Sequence, residues 1–442
     1  MTLLLQSDHS PRDVPLTDNE VSWMAAVPYL MCIPADFAIA VLGDKIGRKN
    51  TIFILSIASL GCWMIKIASM NTSAFIVARL LVGVMMGGAY VTCPLYTNEI
   101  SEDVIRGMLG SMVVMFQTIG NLFLYIIGAY LSYYTILYIC ASLPVIHMLL
   151  FTLVPESPSF LIKKGEFKKA AQALAWLRCR NEDDIAIVNE LNHLKEIQNK
   201  DNECNKFILK AILTDKILFR AFKIVIIIAL AREVCGAIPV MNFAGEIFSE
   251  SSKGTGLVLT PNQQAMTLGA VQVFASTMTL LFIEKIGRKG LLCVTSLAAG
   301  MCMCALASWF LARDFGVYAP AWLPIVTLCL CIFCDSLGLQ PVSVILSGEL
   351  FSFKYRGTVM AVAVASAVCT DFLQMLFFKS VMKSIGPYVA FYFFGGICLL
   401  AAAYTVVAIP ETKARSLEEI YDSLKTKKEK SLEQQNRTNV LA

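Results

Sequence analysis

The residues with the most obvious chemistry in this 442-residue chain occur twice. Gly43-Asp44-Lys45-Ile46-Gly47-Arg48-Lys49 is echoed by Ile283-Glu284-Lys285-Ile286-Gly287-Arg288-Lys289, and the two glycines before the Arg-Lys pair stand 240 positions apart. A second pair follows in the same order: Asn98-Glu99-Ile100 with Arg106-Gly107, then Gly348-Glu349-Leu350 with Arg356-Gly357. Carboxylates and guanidiniums in this arrangement suit ion pairing rather than catalysis. Glu99 and Glu349 are expected to meet Arg48, Arg106, Arg288 and Arg356, and partial desolvation makes such pairs stronger than surface pairs. Pairs that form only when one end of the molecule is shut would act as a gate. Two motifs recurring in matching order identify two homologous halves, as in transporters built from parallel repeats.

Other reactive groups are sparse. The three histidines, His9, His147 and His193, lack metal-type spacing, and Cys331 and Cys334 form a Cys-x-x-Cys inside an apolar run with no second pair. No phosphate-binding loop, nucleophile elbow, zinc-protease motif or dinucleotide fingerprint is present. The sequence therefore predicts no enzyme, no cofactor and no metal.

Apolar segments must position the charges. Apolar residues make up 57% of the chain and charged residues 16%, against roughly 45–50% and about 25% in soluble domains. Mean hydropathy is +0.64. Such a surplus implies lipid as solvent, so an all-α polytopic membrane protein is expected. Apolar runs long enough to cross a bilayer, ~20 residues each, fall near 21–43, 51–69, 74–98, 108–131 and 134–154. Six more follow near 221–244, 263–283, 290–312, 321–347, 358–382 and 388–409. These eleven spans divide the chain into an external segment 1–20, a first bundle 21–154, a linker 155–220, a second bundle 221–409 and a tail 410–442. Lysine and arginine gather in alternate loops, which places the 44–50 loop, the linker and the C-terminus in the cytoplasm. A net charge of +4 follows from that topology, so the bilayer, not nucleic acid, is the expected partner. Apolar residues recur at helical spacing in the linker (Phe167, Ala170, Leu174, Leu177; then Ile185, Val188, Leu191, Leu194, Ile197), which predicts two or three short amphipathic helices.

With these motifs in place, the chain resembles the sugar porters of the major facilitator superfamily, particularly the insect facilitated trehalose transporter-like branch. The matching stretches are Gly43–Lys49; Arg79 with Gly83 and Gly87; Pro94-Leu-Tyr96-Thr-Asn-Glu99-Ile100; Arg106-Gly107; Pro155-Glu156-Ser157-Pro158; Ile283–Lys289; Gly348-Glu349-Leu-Phe351 to Arg356-Gly357; and Pro410-Glu411-Thr412-Lys413. The resemblance implies the major facilitator fold, two pseudo-symmetric bundles with an intracellular helical domain, working by alternating access. It also implies a cytoplasmic gate of Arg48, Glu99, Arg106, Glu156, Arg288, Glu349, Arg356 and Glu411.

Two departures shape the expected site. The family has six helices before the Pro-Glu-Ser-Pro signature and this sequence shows five, so the family's first helix is expected to be absent. Where the family carries Gln-Gln-x-x-Gly-x-Asn, this chain reads Arg232-Glu233-Val-Cys-Gly236-Ala-Ile238. By resemblance Gln117, Gln272, Asn242 and Glu233 form the substrate pocket. Asp36, Arg232, Glu233, Asp335 and Asp371 are intramembrane charges, functional by default, with Arg232 expected to pair with an acid such as Asp371, or the acids to take up a proton. The reading is facilitative transport of a trehalose- or hexose-class sugar across the plasma membrane. The alternatives are a proton-coupled symporter using Asp36, Glu233 or Asp371, and a non-transporting sensor or degenerate paralogue.

Overall fold

The computed structural model describes residues 16–102, 106–202, 208–252, 260–317, 320–351, 353–413, 415 and 417–425. The first half contains α1 (Asp18–Ile46), α2 (Arg48–Ala68), α3 (Thr72–Ile100), α4 (Arg106–Tyr130) and α5 (Tyr133–Phe151). The linker forms α6 (Pro158–Lys163), α7 (Phe167–Arg178), α8 (Ile185–Asn202) and α9 (Ile208–Thr214). The second half comprises α10 (Lys216–Glu233), α11 (Ala237–Ser252), α12 (Pro261–Ile286), α13 (Arg288–Asp314), α14 (Leu323–Cys334), α15 (Gln340–Glu349), α16 (Phe353–Ser384) and α17 (Pro387–Ala408); a short helix, α18 (Leu417–Leu424), follows.

Ten spans among the described residues are long and apolar enough to cross a membrane, with α10–α11 and α14–α15 each counted as one. α12, at 26 residues, is an eleventh helix of spanning length. Large apolar side chains face outward along them, including Phe37, Ile57, Leu149, Leu150, Leu400 and Val407. That surface is stable in lipid, where helices satisfy their own backbone groups.

Within the first half α1 packs closely on α3 because glycines let the backbones touch. A Cβ on Gly87 would lie 2.7 Å from the Cys32 carbonyl and 2.6 Å from Asp36 Oδ1. The halves meet chiefly through α1 against α16 and α4 against α12. α1 starts at Asp18 on a capping box formed by Thr17 and Glu20.

In the linker, Leu161, Ile162, Ala170 and Ala173 form a small core against Leu191 and Leu194. The predicted apolar face is narrower than the spacing suggested: Phe167, Ile185 and Val188 are exposed. Lys195 Nζ instead covers the Phe167 ring, 4.4 Å from its centroid.

Candidate functional site

Both copies of the repeated string fold the same way. Gly47 and Gly287 adopt φ of 103° and 88°, a region that L side chains avoid. Each starts a helix whose first backbone N–H groups face a carboxylate from a distant segment. Glu156 accepts from the Arg48 N–H at 2.9 Å and the Lys49 N–H at 3.0 Å. Glu411 accepts from the Arg288 N–H at 3.0 Å and the Lys289 N–H at 3.2 Å. An anion here satisfies orphan donors and the positive end of the helix dipole. A Cβ on Gly287 would come within 2.8 Å of Glu411 Oε2, so glycine is needed for the approach as well as for φ.

The following arginine and lysine also act alike. Arg48 Nη2 reaches Glu99 at 3.2 Å, and Arg288 Nη2 reaches Glu349 at 3.0 Å. Lys49 Nζ donates to the Thr152 carbonyl at 2.8 Å and Lys289 Nζ to the Val406 carbonyl at 2.9 Å. Each unit thus clamps three elements of its own half. The ion pairs described at this end hold each half together. The side chains of Arg106 and Arg356 lie outside the described residues.

Ion pairs that cross between halves stand at the opposite end. Lys379 of α16 bridges Asp18 of α1 and Glu246 of α11, at 3.0 Å each, and Lys383 pairs with Asp18 as well.

Between these ends, near the middle of three spans, charges are buried. α10 ends at Glu233, Gly236 turns the chain with φ of 86°, and α11 begins at Ala237. A helix broken within a membrane leaves carbonyls to satisfy, and Gln374 Nε2 donates to the Glu233 carbonyl at 3.0 Å. Arg232 forms an ion pair with Glu233 and stands 3.6 Å from Asp335. Asp335 opens a π-helical turn, Asp335–Leu339, between α14 and α15. The carbonyls of Ser336 and Leu337 accept from Thr279 Oγ1 at 2.9 and 3.2 Å. π-Turns of this kind concentrate at functional sites.

The Arg232–Asp371 pair expected from sequence is not the one formed: Arg232 turns to Glu233 and Asp335. The break after Glu233 sends Arg232 toward the π-turn, while the Asp371 carboxyl adjoins that of Glu233. Asp36 is buried elsewhere, its carboxylate 3.8 Å from Cys32 Sγ and against Gly87.

Polar groups also line the contact between halves. Gln272 is buried and receives a hydrogen bond from Asn121 at 3.3 Å. Tyr125 donates to the Met241 carbonyl at 2.7 Å. Asn242 is exposed, donates to the Ile238 carbonyl at 3.0 Å and reaches Tyr29 Oη at 3.5 Å. Gln117 is exposed on α4, one turn from Asn121. Tyr90 is 47% exposed although the charges of Arg232, Glu233 and Asp371 act on it, which places it on an accessible space beside the charged cluster. Asn121, Tyr125 and Gln374 were not singled out from sequence. Their signal was helical spacing: Asn121 lies four residues after Gln117, and Gln374 three after Asp371.

Residues 5–423 match the model of a family described as "Sugar (and other) transporter". Facilitated trehalose transporter Tret1 of Culex quinquefasciatus is 26% identical over 421 residues, covering 95% of this chain and 80% of that protein. The namesake in Apis mellifera ligustica is 26% identical over 422 residues, covering 95% and 82%. Among solved structures, the inward-open xylose transporter XylE from E. coli superposes with a TM-score of 0.76 at 18% identity, covering 96% of this chain and 94% of that one.

Proposed function

This chain belongs to the sugar transporter family and serves sugar transport; on that premise we propose that it is a facilitator. It moves a sugar of the trehalose or hexose class down its gradient by alternating access. The carrying observation is the set of amides and hydroxyls between the halves: Asn121 with Gln272, Asn242 with Tyr29, and Tyr125. Amides and phenols both donate and accept hydrogen bonds, as sugar hydroxyls require. They sit on opposing surfaces that a rocking motion separates. We assign Gln117, Asn121, Asn242 and Gln272 to the sugar pocket.

The repeated Gly-Arg-Lys units hold each half together, so that closing and opening take place where the halves meet. We place these units on the cytoplasmic side of the plasma membrane, where the positive-inside rule puts their lysines and arginines. The C-terminus then lies in the cytoplasm and the Asp18–Lys379 contact outside.

The test is uptake of labelled trehalose, glucose and fructose into proteoliposomes holding the purified full chain. Saturable, gradient-driven uptake of at least one sugar, unchanged by an imposed proton gradient, is the expected result. Absence of flux from correctly folded protein would overturn transport, and accumulation only with a proton gradient would overturn facilitation.

A further inference from the structure

The charged cluster at the break between α10 and α11 has more acceptors than donors. Three carboxylates, Glu233, Asp335 and Asp371, are each more than nine-tenths buried, and one guanidinium, that of Arg232, stands among them. Arg232 Nη1 is used on Glu233 Oε1, and Asp335 takes the other side of the guanidinium. Cys235 Sγ adds a weak donor to Asp335 at 3.8 Å. Three acceptor atoms then remain without a hydrogen-bond partner: Glu233 Oε2, Asp371 Oδ1 and Gln374 Oε1. Arg232 Nε is unpartnered too, at 3.6 Å from Asp335.

The residues that carry the three orphan acceptors are neighbours. The Glu233 and Asp371 carboxyls adjoin each other. Gln374 lies three residues after Asp371, on the same face of α16, and its amide nitrogen is already on the Glu233 carbonyl. Leaving such groups unpaired away from water is costly, and the cost is greatest for a charge. Tyr90, on the accessible space, and Tyr29 stand close enough to feel the Asp371 charge from the other half. The cluster therefore lies beside the contact between the halves.

We propose that this cluster is a subsite for a protonated amine, and that the carrier prefers amine-bearing sugars to their neutral counterparts. The inference rests on the sugar-transport reading. An ammonium brings three donors and one positive charge, matching three orphan acceptors and the surplus of acid over base. A lone shared proton would bridge Glu233 and Asp371 but leave Gln374 Oε1 unsatisfied.

The experiment compares unlabelled glucosamine, glucose and N-acetylglucosamine as competitors of labelled glucose uptake in proteoliposomes. The same three compounds are tested as thermal stabilisers of the purified full chain. N-acetylglucosamine keeps the ring and removes the charge. Glucosamine is expected to compete about tenfold more strongly than either neutral sugar, the worth of one charge-assisted contact. In Asp371→Asn the ratio falls to about one whatever the absolute uptake; Glu233→Gln serves if that variant does not fold. Equal potency of all three sugars overturns the proposal, as does a preference that survives both substitutions. Amine-blind uptake that follows a proton gradient gives the cluster to a proton and also overturns it. Stabilisation by glucosamine alone in a protein with no sugar flux would support the subsite and sink the transport reading, whereas stabilisation by none of the three would overturn the subsite.

Discussion

Replacing Asp18 by Asn tests where the two halves are held. Asp18 lies on α1 and meets Lys379 of α16 at 3.0 Å, with side chains 36% and 12% exposed, and Lys379 keeps a second partner in Glu246 at 3.0 Å. The substitution therefore does not strand a buried charge, a loss that costs several kcal/mol. What is lost is a half-buried pair across the interface, worth about 1 kcal/mol after discounting for solvent. The contact can exist only while this end is closed, so the whole loss falls on one state of the carrier. About 1 kcal/mol corresponds to an approximately fivefold shift toward the state open at this end. Spin labels on exposed Asn19 and Ser384, in a background with exposed Cys179 and Cys369 replaced by Ser, report the distance between the halves. The population at long distance is expected to rise about fivefold. Lys383→Gln, whose side chain is 76% exposed, is expected to do much less. An unchanged distribution in Asp18→Asn would refute the reasoning, and an equal shift in Lys383→Gln would reduce the effect to surface charge.

Other expectations address the remaining contacts. Gly287→Ala forces a side chain into positive φ and against Glu411, so it should destabilise the chain by roughly 1–3 kcal/mol; an unaltered thermal midpoint would contradict this. Glu349→Gln weakens the partner of Arg288, whose side chain is 10% exposed, and should lower stability by about 1–3 kcal/mol, including its charge-assisted bond. If the unit also serves the gate, uptake slows or the carrier is trapped in one state; wild-type kinetics and state distribution together would exclude that role. Tyr125→Phe deletes one hydrogen bond between the halves and should alter the transport rate by about fivefold, the worth of ~1 kcal/mol; unchanged rates would show that the bond persists through the cycle. In the linker, the Ala186 N–H and then Arg180 hold the Asp184 carboxyl below its ordinary range. A depressed carboxylate stabilises above its unfolded value and loses that contribution as pH falls, so protease resistance of α8 should decline on the acid side; decline on the alkaline side would reverse the sign.

The membrane architecture was legible because it depends on local hydrophobicity. The apolar runs correspond to helices long enough to span, with boundaries a few residues from those expected, as at Asp18 rather than 21. The pairings Arg48–Glu99 and Arg288–Glu349 were equally legible, since the repeat placed the same charges at corresponding helix ends. The partner of Arg232 was not. Among the intramembrane acids the sequence offered Asp371 as a partner, but a break at Gly236 and a π-turn at Asp335 re-aimed the side chains.

By itself, then, the sequence determined which segments are apolar enough to enter the bilayer and that the chain is a duplicated unit. These follow from transfer free energy, which acts residue by residue, and from the recurrence of the motifs. Only the tertiary structure decided that the repeated ion pairs stay within each half, that Asp18 and Lys379 join the halves at the other end, and that acceptors are left over beside Glu233. Those outcomes depend on how broken and bent helices are oriented about one another. Burial then decides which charges must find a partner.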